Sequence, residues 1–163
     1  MLRWPTVCPA IDLANCADAL HETPNLIYER HFLRALMQHF RYKAALFPGV
    51  YRSDSIGPVR SIREFDQKIV APHCGFSDAD DYYYRAASAR VIDGIAVPAL
   101  ILRAQNDPFI RLIPETRERI FANQNIELIE PRHGGHCAFL SRRSAEGVHW
   151  AEAAVIRYLQ SVT

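Results

Sequence analysis

The apolar positions of this chain change rhythm near residue 91. Before that point they recur mostly at three- and four-residue steps, the period of an amphipathic helix. A short apolar stretch, Thr6-Val7-Cys8-Pro9-Ala10-Ile11, comes first and reads as a truncated buried strand over 6–11. Asp12 then stands as a cap for a helix over 13–21, which Pro24 ends. Residues 25–46 carry Leu26, Leu33, Leu36, Met37 and Phe40 on one stripe, and Phe47-Pro48-Gly49 stops that helix. Gly57-Pro58 marks 50–60 as a loop. Ser61 and Glu64 have capping-box spacing at the head of a helix to Val70, with Ile62, Phe65 and Ile69 on one face. A loop over 71–77 follows, and Asp78 starts a short helix through Tyr82-Tyr83-Tyr84 to Ala87.

From 91 onward short apolar runs alternate with helical ones. The pattern predicts a strand at 97–104, a helix near 114–123, a strand at 125–130 and a final helix over about 145–160. Val148, Ala151, Val155 and Leu159 form the stripe of that last helix. Two strands joined through a helix make a right-handed unit of a parallel sheet. The unbroken apolar run Val97–Leu102 fits a sheet covered on both faces. The fold expected is α/β, with about three parallel strands, flanking helices and a helical insertion over 12–90 placed like a cap.

Composition narrows the function. At 163 residues, 49% apolar and 23% charged, the chain has enough apolar material for one core. Nineteen basic residues against 18 acidic ones leave a net charge of +1, so no electrostatic footprint for nucleic acid exists. The basic residues within 30–43 read as a solvated helix face. No apolar run approaches the roughly 20 residues of a membrane span, and the first residues lack a signal-peptide pattern. A cytoplasmic protein is expected. Cys8, Cys16, Cys74 and Cys137 form no C-x-x-C and no structural zinc spacing, so reduced thiols are expected.

Two residues carry the chemistry. Asp107 sits in N-D-P-F (106–109), just past the first run of this second half. His136 sits in H-G-G-H-C-A-F (133–139), just past the next. Ligands of open parallel sheets gather outside the carboxyl ends of the strands. An acid past one strand and a His past the next is how the last two members of a Ser…Asp…His triad are ordered in sheet-based hydrolases. Asp107 would fix the imidazole tautomer, and the other ring nitrogen would take a proton from a hydroxyl. Gly134 and Gly135 would let the loop turn sharply. Singly, each residue has a plainer explanation, a turn aspartate and a solvated histidine.

No G-x-S-x-G is present to supply the nucleophile. Ser88 follows a helical stretch rather than a strand, and Cys137 adjoins His136 on one loop, where neighbouring side chains seldom converge. A metal set from His133, His136 and Cys137 lacks a carboxylate partner and a recognised spacing. Tyr82, Tyr83 and Tyr84 with Phe65 and Phe76 could line an acyl pocket or simply fill helix core and surface.

Several segments resemble the YheT-like family of α/β-hydrolases, which groups with the embryogenesis-associated and α/β-hydrolase-domain esterases. They are S-I-R-E-F-D (61–66), G-F-x-D-A-D-D-Y-Y (75–83), P-A-L-I-L-x-A-x-N-D-P-F (98–109) and G-G-H-C-A-F (134–139). C-P-A-I-D-L-x-x-C-A-D-A-L (8–20) and F-P-G (47–49) match as well. The resemblance covers about residues 6–160 and implies Asp107 as triad acid, His136 as triad base and 12–90 as a helical cap ahead of a C-terminal βαβα segment, 91–163. The family's early strands, oxyanion loop and nucleophile elbow would precede residue 6. The chain is therefore expected to be the C-terminal half of a serine hydrolase of ester or lipid-like acyl substrates, inactive alone and needing no metal or organic cofactor. An unpaired apolar strand edge suggests a homo-oligomer or a complementary N-terminal half. The alternatives are a non-catalytic remnant used as a binding or regulatory module, and one half of a split esterase.

Overall fold

The computed structural model describes residues 2–51, 56–144 and 147–161. Three four-residue strands, β1 (Trp4–Val7), β2 (Ala99–Leu102) and β3 (Ile126–Ile129), lie side by side in that order. Both pairings are parallel, with Val7 beside Leu102 and Leu102 beside Ile129. All four β2 residues are buried, as a strand covered on both faces requires. Ile101 packs with Ile11, Ile92 and Ile120, while Leu100 and Leu102 point to the opposite face and are also fully enclosed.

The first strand starts earlier and ends sooner than the expected 6–11. Cys8 takes a left-handed conformation (φ 48°) and Pro9 follows it, so the extended chain stops after Val7. Pro5 is tolerated because β1 is an edge of this sheet. The Trp4 and Cys8 amides donate to the Pro98 and Leu102 carbonyls of the β2 side, which puts Pro5 on the outer side, where no donor is needed. Arg3 is part of the fold as well. Its guanidinium donates to the carbonyls of Tyr158 and Ser161 and stacks over the Tyr158 ring.

The chain divides into two compact units, one of residues up to Cys16 and from Ala87 on, the other of Ala17–Ala86. The second unit is helical. It begins within α1 (Leu13–His21) and continues through α2 (Leu26–Leu46), α3 (Ile62–Phe65), a π turn (Asp66–Val70), α4 (Ala71–Cys74) and α5 (Ala79–Ala86). Leu33 and Phe40 of α2 meet Phe65 and Ile69 in its core. Ser61 Oγ accepts from the Glu64 amide, the expected cap, and Asp78 does the same for the Asp81 amide. The helix expected to end at Val70 runs on to Cys74, where Gly75 (φ 76°) closes it. The π turn shifts the hydrogen-bond register, so Pro72 falls in the first turn of a new helix, where its missing N–H is harmless.

In the first unit, Ser88–Gly94 forms a run of 3-10 turns and α6 (Pro114–Ala122) joins β2 to β3. Asp12 does not cap α1 with its side chain. Its carboxylate accepts from the Ile113 amide at 3.0 Å and the Thr116 hydroxyl at 2.7 Å, holding the start of α6 instead. The last helix, α7 (Trp150–Gln160), begins later than the expected 145, because an antiparallel ribbon precedes it. That ribbon is β4 (Leu140–Ser144) with β5 (Gly147–His149). No helix of the described residues is long and apolar enough to cross a membrane.

Candidate active site

The parallel register puts Val7, Leu102 and Ile129 at one end of the sheet. The segments that follow them bring Cys8, Asp107 and His136 to that end. Asp107 is fixed first. Its side chain is fully buried, and Oδ1 accepts from the amides of Phe109 at 3.1 Å and Ile110 at 2.9 Å. The N-D-P-F turn thus folds around its own carboxylate. The other oxygen, Oδ2, lies 3.0 Å from His136 Nδ1.

Facing a carboxylate, Nδ1 carries the proton and donates it, so Nε2 keeps its lone pair. The imidazole also rests against the Phe109 ring, 4.5 Å between centroids, and its side chain stays 35% exposed. One edge of the ring is therefore anchored in the core of the turn while the residue remains reachable from solvent.

The glycine loop is held by a residue that the sequence reading passed over. Asn106 Oδ1 accepts from the Gly134 and Gly135 amides, both at 3.0 Å. Nothing local to N-D-P-F reveals that the Asn106 side chain bridges to a loop beyond the next strand. Gly134 has a steric role. A Cβ there would stand 2.5 Å from the ring of buried Phe139. Gly135 has the left-handed φ of 56° that a side chain disfavours.

Below these loops, Glu130 joins two arginines. Oε1 accepts from Arg103 Nη1 and the other oxygen from Arg117, each at 2.7 Å. Arg103 also donates to the Ile110 carbonyl, tying the Asp107 turn to the end of β3.

Cys137 departs from the expectation that it would not converge with its neighbour. Its thiol, a ring nitrogen of His136 and the thiol of Cys8 all lie within 4.8 Å of one another. Cys137 achieves this through a left-handed backbone, φ 63°. Cys8 could not be linked to His136 from the sequence, because only the β1–β2 register brings residue 8 beside residue 136. Burial pushes the Cys8 thiol up to about 12, and the charges of Cys137 and Asp107 push the same way. Ser88 opens the 3-10 stretch, and no described serine is hydrogen-bonded to His136. The tyrosines divide. Tyr83 is core, hydrogen-bonded to Asp66, and Tyr84 is exposed. A cavity of about 320 Å³ within the helical unit includes Phe65, Phe40 and Ile69 in its wall, but none of the three tyrosines.

Known proteins are similar to this chain in sequence. The chain is 31% identical over 90% of its length to a protein of Escherichia coli K12 named as an esterase, YheT. It is 29% identical over 83% of its length to an embryogenesis-associated protein of Picea glauca, and 29% over 77% to a phospholipase of Mus musculus, ABHD3. It spans 44%, 31% and 31% of these relatives, less than half of each. No family model and no solved structure matches. With a parallel sheet flanked by helices and homologues of this kind along most of its length, the chain belongs to the YheT-like α/β-hydrolases and has the architecture of their C-terminal portion.

Proposed function

We propose that this chain supplies the acid–base pair of a serine-type ester hydrolase, with His136 as general base and Asp107 as the residue that orients it. The observation that carries this reading is the bond from His136 Nδ1 to buried Asp107 Oδ2, formed past the carboxyl ends of adjacent parallel strands. A carboxylate with no solvent exposure and two amide donors cannot swing away, so it fixes the tautomer and stabilises the imidazolium. Nε2 then takes the proton of an attacking hydroxyl and returns it to the leaving alcohol. The nucleophilic serine and the oxyanion donors would come from the part of the relatives' length that this chain does not span, in the same polypeptide or in a complementary half. Residues 12–90 serve as the cap. Relatives named as an esterase and a phospholipase support an acyl ester, lipid-like substrate. The four unpaired thiols support a reducing compartment, the cytosol.

The test uses this chain alone and co-expressed with the polypeptide of the adjacent reading frame. Alone, it hydrolyses p-nitrophenyl esters no faster than buffer and takes up no fluorophosphonate. The pair hydrolyses the ester saturably and labels on the partner's serine, and His136→Ala abolishes both. Asp107→Asn lowers kcat by about 10⁴-fold. Activity of the pair that His136→Ala leaves intact would overturn the reading.

A further inference from the structure

The group of Cys8, His136 and Cys137 has a chemistry that ester hydrolysis does not use. Two thiols and an imidazole are the donors that zinc and similar thiophilic cations select. Each is supplied by a constrained piece of chain. Cys8 is buried, and its amide is tied to the Leu102 carbonyl at 2.8 Å. Cys137 leaves the Gly134–Gly135 turn in a left-handed conformation (φ 63°), as Cys8 does at φ 48°. Two such residues with converging thiols, beside the same imidazole, are a cluster of backbone strain of the kind found at functional sites.

His136 is already oriented as a metal ligand would be. Asp107 holds Nδ1 at 3.0 Å, which leaves Nε2 for a metal, and a carboxylate behind a ligating histidine is the usual outer partner. Tetrahedral zinc, with bonds of about 2.3 Å to sulfur and 2.0–2.1 Å to nitrogen, needs its donor atoms about 3.4–3.8 Å apart. The two thiols and one ring nitrogen of His136 lie within 4.8 Å of one another, so the site forms by about 1 Å of closure with Nε2 turned in as the donor. His136 and Cys137 are exposed and on a loop, which makes that closure feasible.

We propose that Cys8, His136 and Cys137 form a three-ligand site for a thiophilic divalent cation such as Zn²⁺, with a fourth position open to water. Binding displaces one proton from each thiol, giving two thiolates, a neutral imidazole and no net charge at the metal centre. Occupancy takes Nε2 out of proton transfer, so the metal would switch off the chemistry assigned to His136. The site itself does not depend on that assignment.

The test is a Co²⁺ titration of the full chain, reduced and freed of metal. One equivalent of Co²⁺ should give a thiolate-to-cobalt charge-transfer absorption that Zn²⁺ bleaches by displacement. Cys137→Ser, at an exposed position, should weaken binding at least tenfold with an unchanged circular dichroism spectrum, and Cys8→Ser should do the same. Asp107→Asn should weaken it about 10- to 100-fold. Cys16→Ser and Cys74→Ser should leave it unaltered. No charge-transfer band, a band that persists in Cys137→Ser, or a Cys8–Cys137 disulfide under the same reducing conditions would each overturn the proposal. None of these readouts involves ester hydrolysis, so a failure here leaves the proposed activity untouched.

Discussion

Tyr83 donates its hydroxyl proton to Asp66 Oδ2 at 2.6 Å, inside the core of the helical unit. Burial raises the Asp66 carboxyl above its ordinary range, against the lowering effect of the Tyr83 bond and of Arg63. A carboxyl raised by folding binds its proton more tightly folded than unfolded. Its stabilising contribution is full below the unfolded value, about 3.9. It is lost as the pH rises through the higher folded value. Asp66→Asn keeps an acceptor for Tyr83 and cannot ionise. Urea denaturation between about pH 4 and pH 7 should show the variant gaining on the wild type as pH rises. A pH-independent difference would contradict this.

Asn106 should govern the order of the His136 loop. In Asn106→Ala the Gly134 and Gly135 amides lose their shared acceptor, a loss of about 1 kcal/mol per bond. Amide hydrogen exchange at these two glycines should quicken by about tenfold, with the amides of β2 unaffected. Asn106→Asp retains the acceptor and should exchange like the wild type. Equal exchange in the Ala variant would show that the loop is held by something else.

Gly134 and Phe139 should be energetically coupled. A Cβ at residue 134 meets Phe139 Cδ1 at 2.5 Å and Cε1 at 2.6 Å, and Phe139 is buried. Gly134→Ala should cost about 1–3 kcal/mol, as overpacking does. In a Phe139→Leu background the same change should cost less, a coupling that a double-mutant cycle by chemical denaturation resolves. Gly135→Ala meets no atom within 4 Å, so its cost is backbone strain alone and should not change with residue 139.

The two arginines on Glu130 should differ in what they contribute. The Arg103 side chain is 11% exposed and that of Glu130 9%, whereas that of Arg117 is 48% exposed. Glu130→Ala strands the Arg103 charge and should cost about 3–5 kcal/mol. Arg117→Met removes a screened contact and should cost about 0–1 kcal/mol. Denaturation midpoints of the two variants decide it, and similar losses would refute the asymmetry.

The parts of this molecule that the sequence displayed are those set by local periodicity. The α2 stripe of Leu33 and Phe40, the Ser61 cap and the apolar β2 run each carry their own signal over a few residues. That Asp107 and His136 would meet was legible because each lies a few residues past an apolar run, and the two are 3.0 Å apart in the fold. What stayed hidden depended on contacts across the chain. Asp12 looked like a cap for α1, yet its carboxylate serves α6, over a hundred residues on. Cys8 acquired its neighbours from the sheet register, and Asn106 acquired its partners from a loop past β3. Pro72, a breaker by type, stayed inside a helix because a π turn preceded it.

The strand order also sets a schedule for folding. Thr6 and Leu100 touch across 94 positions, whereas Arg103 and Glu130 meet across 27. Closing the longer loop costs only about 1 kcal/mol more in chain entropy, so stability scarcely registers the difference. Time does. During synthesis at about 5–20 residues per second, β1 leaves the ribosome about 5–20 s before β2 exists. Through that interval β1 lacks the β2 carbonyl that its Cys8 amide bonds in the fold, whereas β2 and β3 are separated by α6 alone. Of the two pairings in this sheet, the one that joins β1 to β2 is the one that synthesis makes wait longest.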